Sequence, residues 1–391
     1  MSSNSLVKIA EYLILSLPQS THANEWLEKS LNNGKQPLYN LKIPDFQSGT
    51  LDSLVQESEE LNKIDHQLGS SVNKIVEILN SINPQSGTSN SRIVQSRSVF
   101  DYIENFQWNS SKYRLDKPIN QLVKMISQEA ITLDNDVRTS YQSYQSAKSN
   151  FLAADRKKNG DLSIKSLHEI VKPEQFVLDS EHLTTILIAV PNNLLDDFYK
   201  NYETLTLFVI PRSAELIAKD QEFHLFTVTL FKKYQQEFIN NSREHRWHPR
   251  TDFIYNEEIL NELRKEFDLT QATELKLKND LIRLTKTAYS DIMANWFHIK
   301  IIRTYVEAVL KYGLPPQFDN YLIKFNGSNL KNVDKAKKEL INKFNYLGGN
   351  GYTSSNNNNN NNNNNGANLH EYASLVDTEY QPFVLYELEI V

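Results

Sequence analysis

Asp155, Gly160 and Leu162 stand first, sixth and eighth in the run Asp155-Arg156-Lys157-Lys158-Asn159-Gly160-Asp161-Leu162, an order shared with calcium loops. Calcium needs oxygen ligands at further positions. Here the third residue is Lys157 and the twelfth is Ser166, where a glutamate would supply two oxygens. A polar interruption of a long helix, able to bend at Gly160, accounts for the run better. His245 and His248 flank Trp247 without a third ligand nearby, so a surface turn is the simpler reading than a metal site. His370-Glu371 lacks the second histidine of a zincin helix, and Gly34-Lys35 stands without the rest of a phosphate cradle. Neither G-x-G-x-x-G nor G-x-S-x-G occurs. With no cysteine, thiol catalysis, disulfides, Cys-ligated zinc and iron–sulfur clusters are all excluded. Asp291 and Glu307 share an apolar helical stretch with Lys300 and Arg303, which reads as paired core charges before general acid–base chemistry. No catalytic residue, cofactor site or metal site is therefore assigned.

One basic-aromatic cluster remains: Lys232, Lys233, Arg243, Arg246 and Arg250 around Trp247. It reads as a solvated face, as a docking face for an acidic helical partner, or as a contact with filamentous or anionic polymers. Lys and Arg total 42 against 48 Asp and Glu, a net charge of −6, which argues against a nucleic-acid partner. No stretch approaches 18 consecutive apolar residues, and residues 1–17 lack a basic n-region and a small-residue cleavage site. The expectation is a cytosolic chain that meets membranes only through partners.

The elements that would position these residues are drawn by the chain's breakers. Glycine and proline make up about 6% of 391 residues, half the usual share, so few turns are encoded. Between Pro118 and Pro173 the only breaker is Gly160, and the 63 residues between Pro249 and Gly313 hold neither. The spacing predicts two very long helices. The first carries a heptad ladder: Ile119, Val123, Ile126, Ala130, Leu133, Val137, Ser140, Tyr144, Ala147, Phe151 and Ala154. These 36 residues span about 50 Å as a helix. The second carries Leu277, Leu281, Leu284, Ala288, Ile292, Ile299, Ile302, Val306 and Val309, and turns apolar on several sides near Trp296. Its earlier part is charged, with Leu260, Leu263 and Phe267 on one face.

Flanking these, Leu13–Leu17, Leu38–Ile43 and Tyr386–Ile390 read as strands, and Thr21–Asn33, Leu51–Ile82 and Lys331–Tyr346 as helices. Thr50 is the expected N-cap of the second of these helices. The middle segment lacks glycine, so its turns are expected to rest on Pro, Asn and Asp. In it, Leu183–Val190 and Leu225–Phe231 read as strands followed by helices at Asn192–Tyr202 and Lys232–Asn241. The ten-asparagine run Asn356–Asn365 reads as a disordered surface loop.

The fold class expected is mainly α with α+β end domains. The shape expected is an elongated dumbbell, a foot and a head joined by a neck of long antiparallel helices. Its domains are residues 1–117 (foot, N-terminal part), 118–165 (outgoing neck helix), 166–255 (head), 256–286 (returning neck helix) and 287–391 (foot, C-terminal part, with an Asn-rich loop near 350–367).

Several segments resemble the C subunit of the eukaryotic V-type proton ATPase. They include Ile43-Pro44-Asp45-Phe46 with Gly49–Leu54, Glu104-Asn105-Phe106-Gln107-Trp108, and Ser180-Glu181-His182-Leu183-Thr184-Thr185. The most specific is Asn295-Trp296-Phe297-His298-Ile299-Lys300 running on to Tyr312-Gly313-Leu314-Pro315, and His370–Val384 fits as well. The Asn run departs from the family where its loop varies. The resemblance implies the same dumbbell, and a non-catalytic peripheral-stalk component whose head binds a stalk of the E and G subunits. Its foot would bind a second such stalk and the cytosolic part of the membrane-bound a subunit. It implies resistance to rotary torque, reversible assembly, and a place on the cytosolic face of vacuolar, endosomal and lysosomal membranes. Actin is a further partner raised by the resemblance, but no residue pattern encodes it. A cytoskeletal or vesicle-tethering coiled-coil scaffold is the competing reading of the long helices.

Overall fold

The breakers account for the longest elements of the computed structural model, which describes residues 7–30, 36–83, 92–167, 169–177, 180–251, 253, 257–347 and 382–391. In chain order these hold β1 (Ala10–Pro18), α1 (Asn24–Ser30), β2 (Leu38–Asn40), α2 (Leu51–Ile82), β3 (Ile93–Val94), β4 (Arg97–Ser98), α3 (Val99–Glu104) and α4 (Ile119–Asn159). There follow β5 (Leu183–Pro191), α5 (Leu195–Asn201), β6 (Glu215–Lys219), β7 (Phe223–Phe231), α6 (Gln235–Glu244) and β8 (His248–Pro249). The last are α7 (Glu257–Tyr312), β9 (Phe318–Asn326), α8 (Val333–Phe344) and β10 (Val384–Ile390). The fold is mixed α and β, about 58% helical, with antiparallel sheets. The Asn run lies outside the described residues.

Contacts divide the chain into two compact units, Met1–Thr139 with Ile282–Val391, and Ser140–Leu281. The first unit holds a sheet of order β10-β1-β9-β2. β1 is buried on both faces. Leu13, Leu15 and Leu17 join Leu27 of α1 and Leu340 and Phe344 of α8 in one core. Tyr12 and Ile14 join Leu61 and Leu68 of α2, Ile126 of α4 and Phe297 and Ile301 of α7 in the other. β9 supplies the pairing that joins β1 to β2. Sequence periodicity misses β9 because Tyr321, Leu322 and Ile323 are consecutive buried residues. A strand sealed on both sides has no polar alternation to show.

α2 has the bounds expected, and the Thr50 hydroxyl caps it by accepting from the Ser53 amide at 3.3 Å. Of the helix expected over Thr21–Asn33, residues 31–33 lie outside the described residues, and the rest is a 3-10 turn (Gln19–Thr21) followed by α1, because His22 adopts a left-handed conformation between them. The strand expected over Leu38–Ile43 is ladder-paired over Leu38–Asn40, with one further bond from the Leu41 amide to the Asn320 carbonyl at 2.9 Å. α7 ends where Gly313, at φ 85°, donates its amide to the Val309 carbonyl at 2.8 Å. A left-handed glycine at this position is a standard helix stop.

α2 and α7 approach closely at Gly69. A Cβ there would lie 3.0 Å from Cζ2 of Trp296. Glycine inside a helix is unfavourable by about 1 kcal/mol relative to alanine, so its presence is explained by this approach. Gly69→Leu is expected to destabilise the chain by about 1–3 kcal/mol through overpacking. An unchanged urea midpoint would refute this account of the contact.

The second unit holds a sheet of order β6-β7-β5-β8. One face packs on Phe198 of α5, Phe238 of α6 and Trp247, and the other on Leu162, Leu167 and Val171. A strand, a 3-10 turn and a helix occur twice in succession, as β5–(Asn192–Leu194)–α5 and β7–(Lys232–Tyr234)–α6. β5 and β7 pair antiparallel, with Leu187 opposite Thr227. Asp220 does cap a turn, accepting from the Glu222 and Phe223 amides at 2.8 and 2.6 Å. The left-handed positions are taken by Phe208, Arg212 and Arg246, at φ 61°, 57° and 60°.

The ladder on α4 is buried at Ile119, Val123, Ile126, Ala130, Val137, Tyr144, Ala147 and Ala154, and half-buried at Leu133, Ser140 and Phe151.

Candidate docking surfaces

The five basic residues singled out from the sequence do not form one cluster. Lys232 and Lys233 are exposed on the 3-10 turn before α6, and Arg243 and Arg246 are exposed at its far end. The ten residues of α6 separate the two pairs by about 15 Å. Arg250 is a correction: it is 5% exposed, and its guanidinium donates to the Leu162 and Lys165 carbonyls at 2.8 Å each. Trp247 is likewise a core residue, 5.0 Å from the Phe198 ring. Both lie beside β8, whose pairing with β5 carries the chain into the core at this point. A charge pattern read along the chain assumes exposure and has no signal for such a short edge strand.

The other sequence candidates separate too. Residues 155–159 are helical, with the Asn159 amide donating to Asp155 at 2.8 Å, so no calcium-loop geometry forms there. The helix stops at Gly160, where a Cβ would sit 2.4 Å from the Arg156 carbonyl oxygen. His245 pairs with Asp197 at 3.0 Å, while His248 meets the Phe223 ring at 5.4 Å.

In the first unit a buried polar network was only half legible. Lys300 and Arg303 do pair in the core, but with Asp65 of α2 rather than with Asp291 or Glu307. Lys300 reaches Asp65 at 2.9 Å, Arg303 makes a close ion pair with it, and the Trp296 indole donates to it at 2.6 Å. Burial lowers the Lys300 pKa, and the Asp65 charge opposes that shift. Lys300 also donates to the Glu387 carbonyl of β10 at 2.9 Å, and Arg303 stacks on Tyr386 of β10 at 4.2 Å. Asp65 lies between Leu61 and Leu68 on the apolar stripe of α2. A carboxylate on such a stripe was the available signal for a buried partner. Glu307 instead accepts from Ser58, and burial raises the Asp291 carboxyl.

An open groove of about 930 Å³ runs beside this network, walled by α2, α7 and β10. Its charges are mixed, with Asp65, Glu307, Glu387 and Glu389 against Lys300, Arg303 and Lys311. Glu11, Glu387 and Glu389 converge within 4.8 Å, but Lys8 and Lys337 already bridge them.

His298 lies in an aromatic box of Phe106, Trp108 and Tyr113, with ring centroids 5.0, 4.8 and 5.1 Å away. Its Nδ1 donates to the Ala294 carbonyl at 2.7 Å, leaving Nε2 to accept from the Asn109 amide at 3.4 Å. Burial pushes its pKa down to about 4. A neutral imidazole so enclosed holds α7 to the loop before α4. It is placed for packing and not for proton transfer to a ligand.

These surfaces offer charged and apolar contacts without a convergent set of reacting groups. Over residues 12–384 the chain matches the model of a family described as the V-ATPase C subunit. The chain belongs to the V-ATPase C-subunit family. The V-type proton ATPase C subunit of Saccharomyces cerevisiae is 47% identical over 389 residues, covering 97% of this chain and 98% of the yeast protein. The C 1 form of Xenopus tropicalis is 31% identical over 388 residues, covering 97% and 98%. The C 1-B form of Danio rerio is 31% identical over 389 residues, covering 98% of each chain.

Membership in this family makes the chain a non-catalytic, peripheral-stalk component of the V-type proton ATPase. The family resemblance drawn from the sequence motifs is borne out across the whole chain. The tethering-scaffold reading is not favoured. Among the described residues, no helix is long and apolar enough to cross a membrane.

Proposed function

We propose that this chain is a stator link between the ATP-hydrolysing sector and the membrane sector of the V-type proton ATPase, with its head within the Ser140–Leu281 unit and its foot within the other. The foot, head and long-helix neck form a dumbbell in this reading, with the domain bounds given from the sequence. The head binds a stalk of the E and G subunits, and the foot binds a second such stalk and the membrane-bound a subunit. The chain acts on the cytosolic face of vacuolar, endosomal and lysosomal membranes, and resists the torque of the rotor.

One observation carries this reading: each unit closes around its own apolar cores, and helices of 41 and 56 residues run through both units. Stiffness with separated docking faces is what a stator requires. Attachment at two ends gives avidity that collapses when either end lets go, which suits reversible assembly. On the head, the exposed pair Lys232 and Lys233 offers a basic contact for an acidic stalk.

The test is recovery of tagged full-length chain from cytosol and from membranes. The E, G and a subunits are expected in the eluate. Recovery of cytoskeletal proteins without any ATPase component would overturn the stator role.

A further inference from the structure

At one edge of the second unit, large apolar side chains are exposed where the backbone is strained. Leu207 is 67% exposed and Phe208 is 59% exposed. Phe208 holds φ at 61°, in the left-handed region that a bulky aromatic residue rarely enters. Its ring stacks on Tyr234 at 5.5 Å and meets Phe231 at 5.5 Å. Backbone bonds hold the loop in place, with the Phe231 amide donating to the Phe208 carbonyl at 3.3 Å and the Ile210 amide to Thr229 at 3.0 Å. The fold thus holds an aromatic residue out to solvent on ordered, strained backbone. Strain of this kind persists at sites with a use for it.

Two cations border the same ridge. The Lys233 ammonium lies 5.8 Å over the Tyr234 ring, and Lys232 follows Phe231 directly. Both lysines stand at the N-terminal end of α6, the positive end of its dipole, where cations are disfavoured. The matching turn of the first strand–turn–helix copy has Asn192 and Asn193 there, so the turn itself does not require lysine. Lys232 does tie back to the Ser180 carbonyl at 2.5 Å, but Lys233 is exposed.

We propose that the ridge of Leu207, Phe208 and Tyr234, flanked by Lys232 and Lys233, is the surface on which an acidic amphipathic helix of a partner protein docks. An acidic partner is selected by charge, since its carboxylates would relieve two cations placed against a helix dipole. A helix is selected because the edge of β7 here is already filled by β6 and by the Val209 bridge to Leu230. Side chains, and not a free strand edge, are therefore on offer, which is the helix-face mode of recognition. The proposal rests on the stator reading and deepens it by placing the head's contact at this end of α6, away from Arg243 and Arg246.

The test uses full-length chain and the purified E–G pair of the same organism as probe. Phe208→Gly is the informative variant, because glycine relaxes the left-handed position while removing the ring. Its thermal stability is expected to hold or rise, while affinity falls about tenfold or more, the range of a buried aromatic anchor. Lys232→Gln/Lys233→Gln is expected to weaken binding and to flatten its salt dependence. Arg243→Gln/Arg246→Gln is expected to leave affinity within about twofold, as for charges outside an interface. Unchanged binding by Phe208→Gly, or loss confined to the arginine variant, overturns the ridge. If the wild-type chain itself fails to bind the E–G pair, the stator reading fails instead.

Discussion

Asp65→Ala is expected to lower the stability of the first unit by about 3–5 kcal/mol, the usual result of removing one partner from a buried ion pair. The magnitude follows from what is left behind. Lys300 is 6% exposed and Arg303 is half-buried, and both direct their charge at the one carboxylate of Asp65. Alanine leaves two cations without it and strands the Trp296 indole N–H. Lys300 also holds the Glu387 carbonyl of β10, so the loss is expected to reach that strand. Urea unfolding followed by tryptophan fluorescence measures the cost, and deuterium uptake over residues 384–390 measures the loosening. Adding Lys300→Met to Asp65→Ala is expected to restore part of the loss, because one uncompensated charge is then gone. A loss under about 1 kcal/mol, as at a surface pair, would show that water reaches this network.

Acidification is expected to destabilise the chain through His298 by roughly 3 kcal/mol between pH 6.5 and 4, since each unit of pKa shift is worth about 1.4 kcal/mol. Burial depresses the folded pKa to about 4 from an ordinary 6.5, and Lys112 acts in the same direction. The Ala294 carbonyl and Glu129 oppose it without reversing it. Below pH 6.5 the unfolded chain takes up a proton that the folded chain still refuses, so stability falls with pH. Below pH 4 both states are protonated and this contribution stops changing. Glu11 and Asp291, whose carboxyls burial raises, act in the opposite sense over an overlapping range. Comparison of wild type with His298→Gln isolates the histidine. Equal slopes of stability against pH in the two proteins would remove His298 from the account.

Much of the secondary structure could be read because long helices and half-buried strands write periodic patterns. α2 is the clearest case, with its leucine ladder and Thr50 cap. β10 is another, alternating Leu388 and Ile390 with exposed Glu387 and Glu389. β9 was not read, because a strand covered on both faces carries no alternation. β6 was missed for a different reason: its ladder is broken by a bulge between Leu216 and Ala218. The docking residues were legible only as charges. Lys232, Lys233, Arg243 and Arg246 are exposed, but Arg250 donates to carbonyls of Leu162 and Lys165, far from it in sequence. Asp65 shows the converse. Its carboxylate sat on an apolar stripe in plain view, yet its partners lie on another helix more than two hundred residues away.

Local physics alone determined the long helices, the stop at Gly313, the lack of thiol chemistry and the family motifs, whereas Gly160 reads as a bend and the helix ends there. Each depends on residues adjacent in the chain or a few turns apart, where propensity and period act. Tertiary structure decided which charges face water, which meet in the core, and where an aromatic residue is held out on a strained backbone. Those outcomes depend on burial and on pairing between distant segments, and neither quantity exists until the chain has closed on itself. Phe208 makes the point most directly, since nothing around it in sequence distinguishes it from the buried Phe226 of β7.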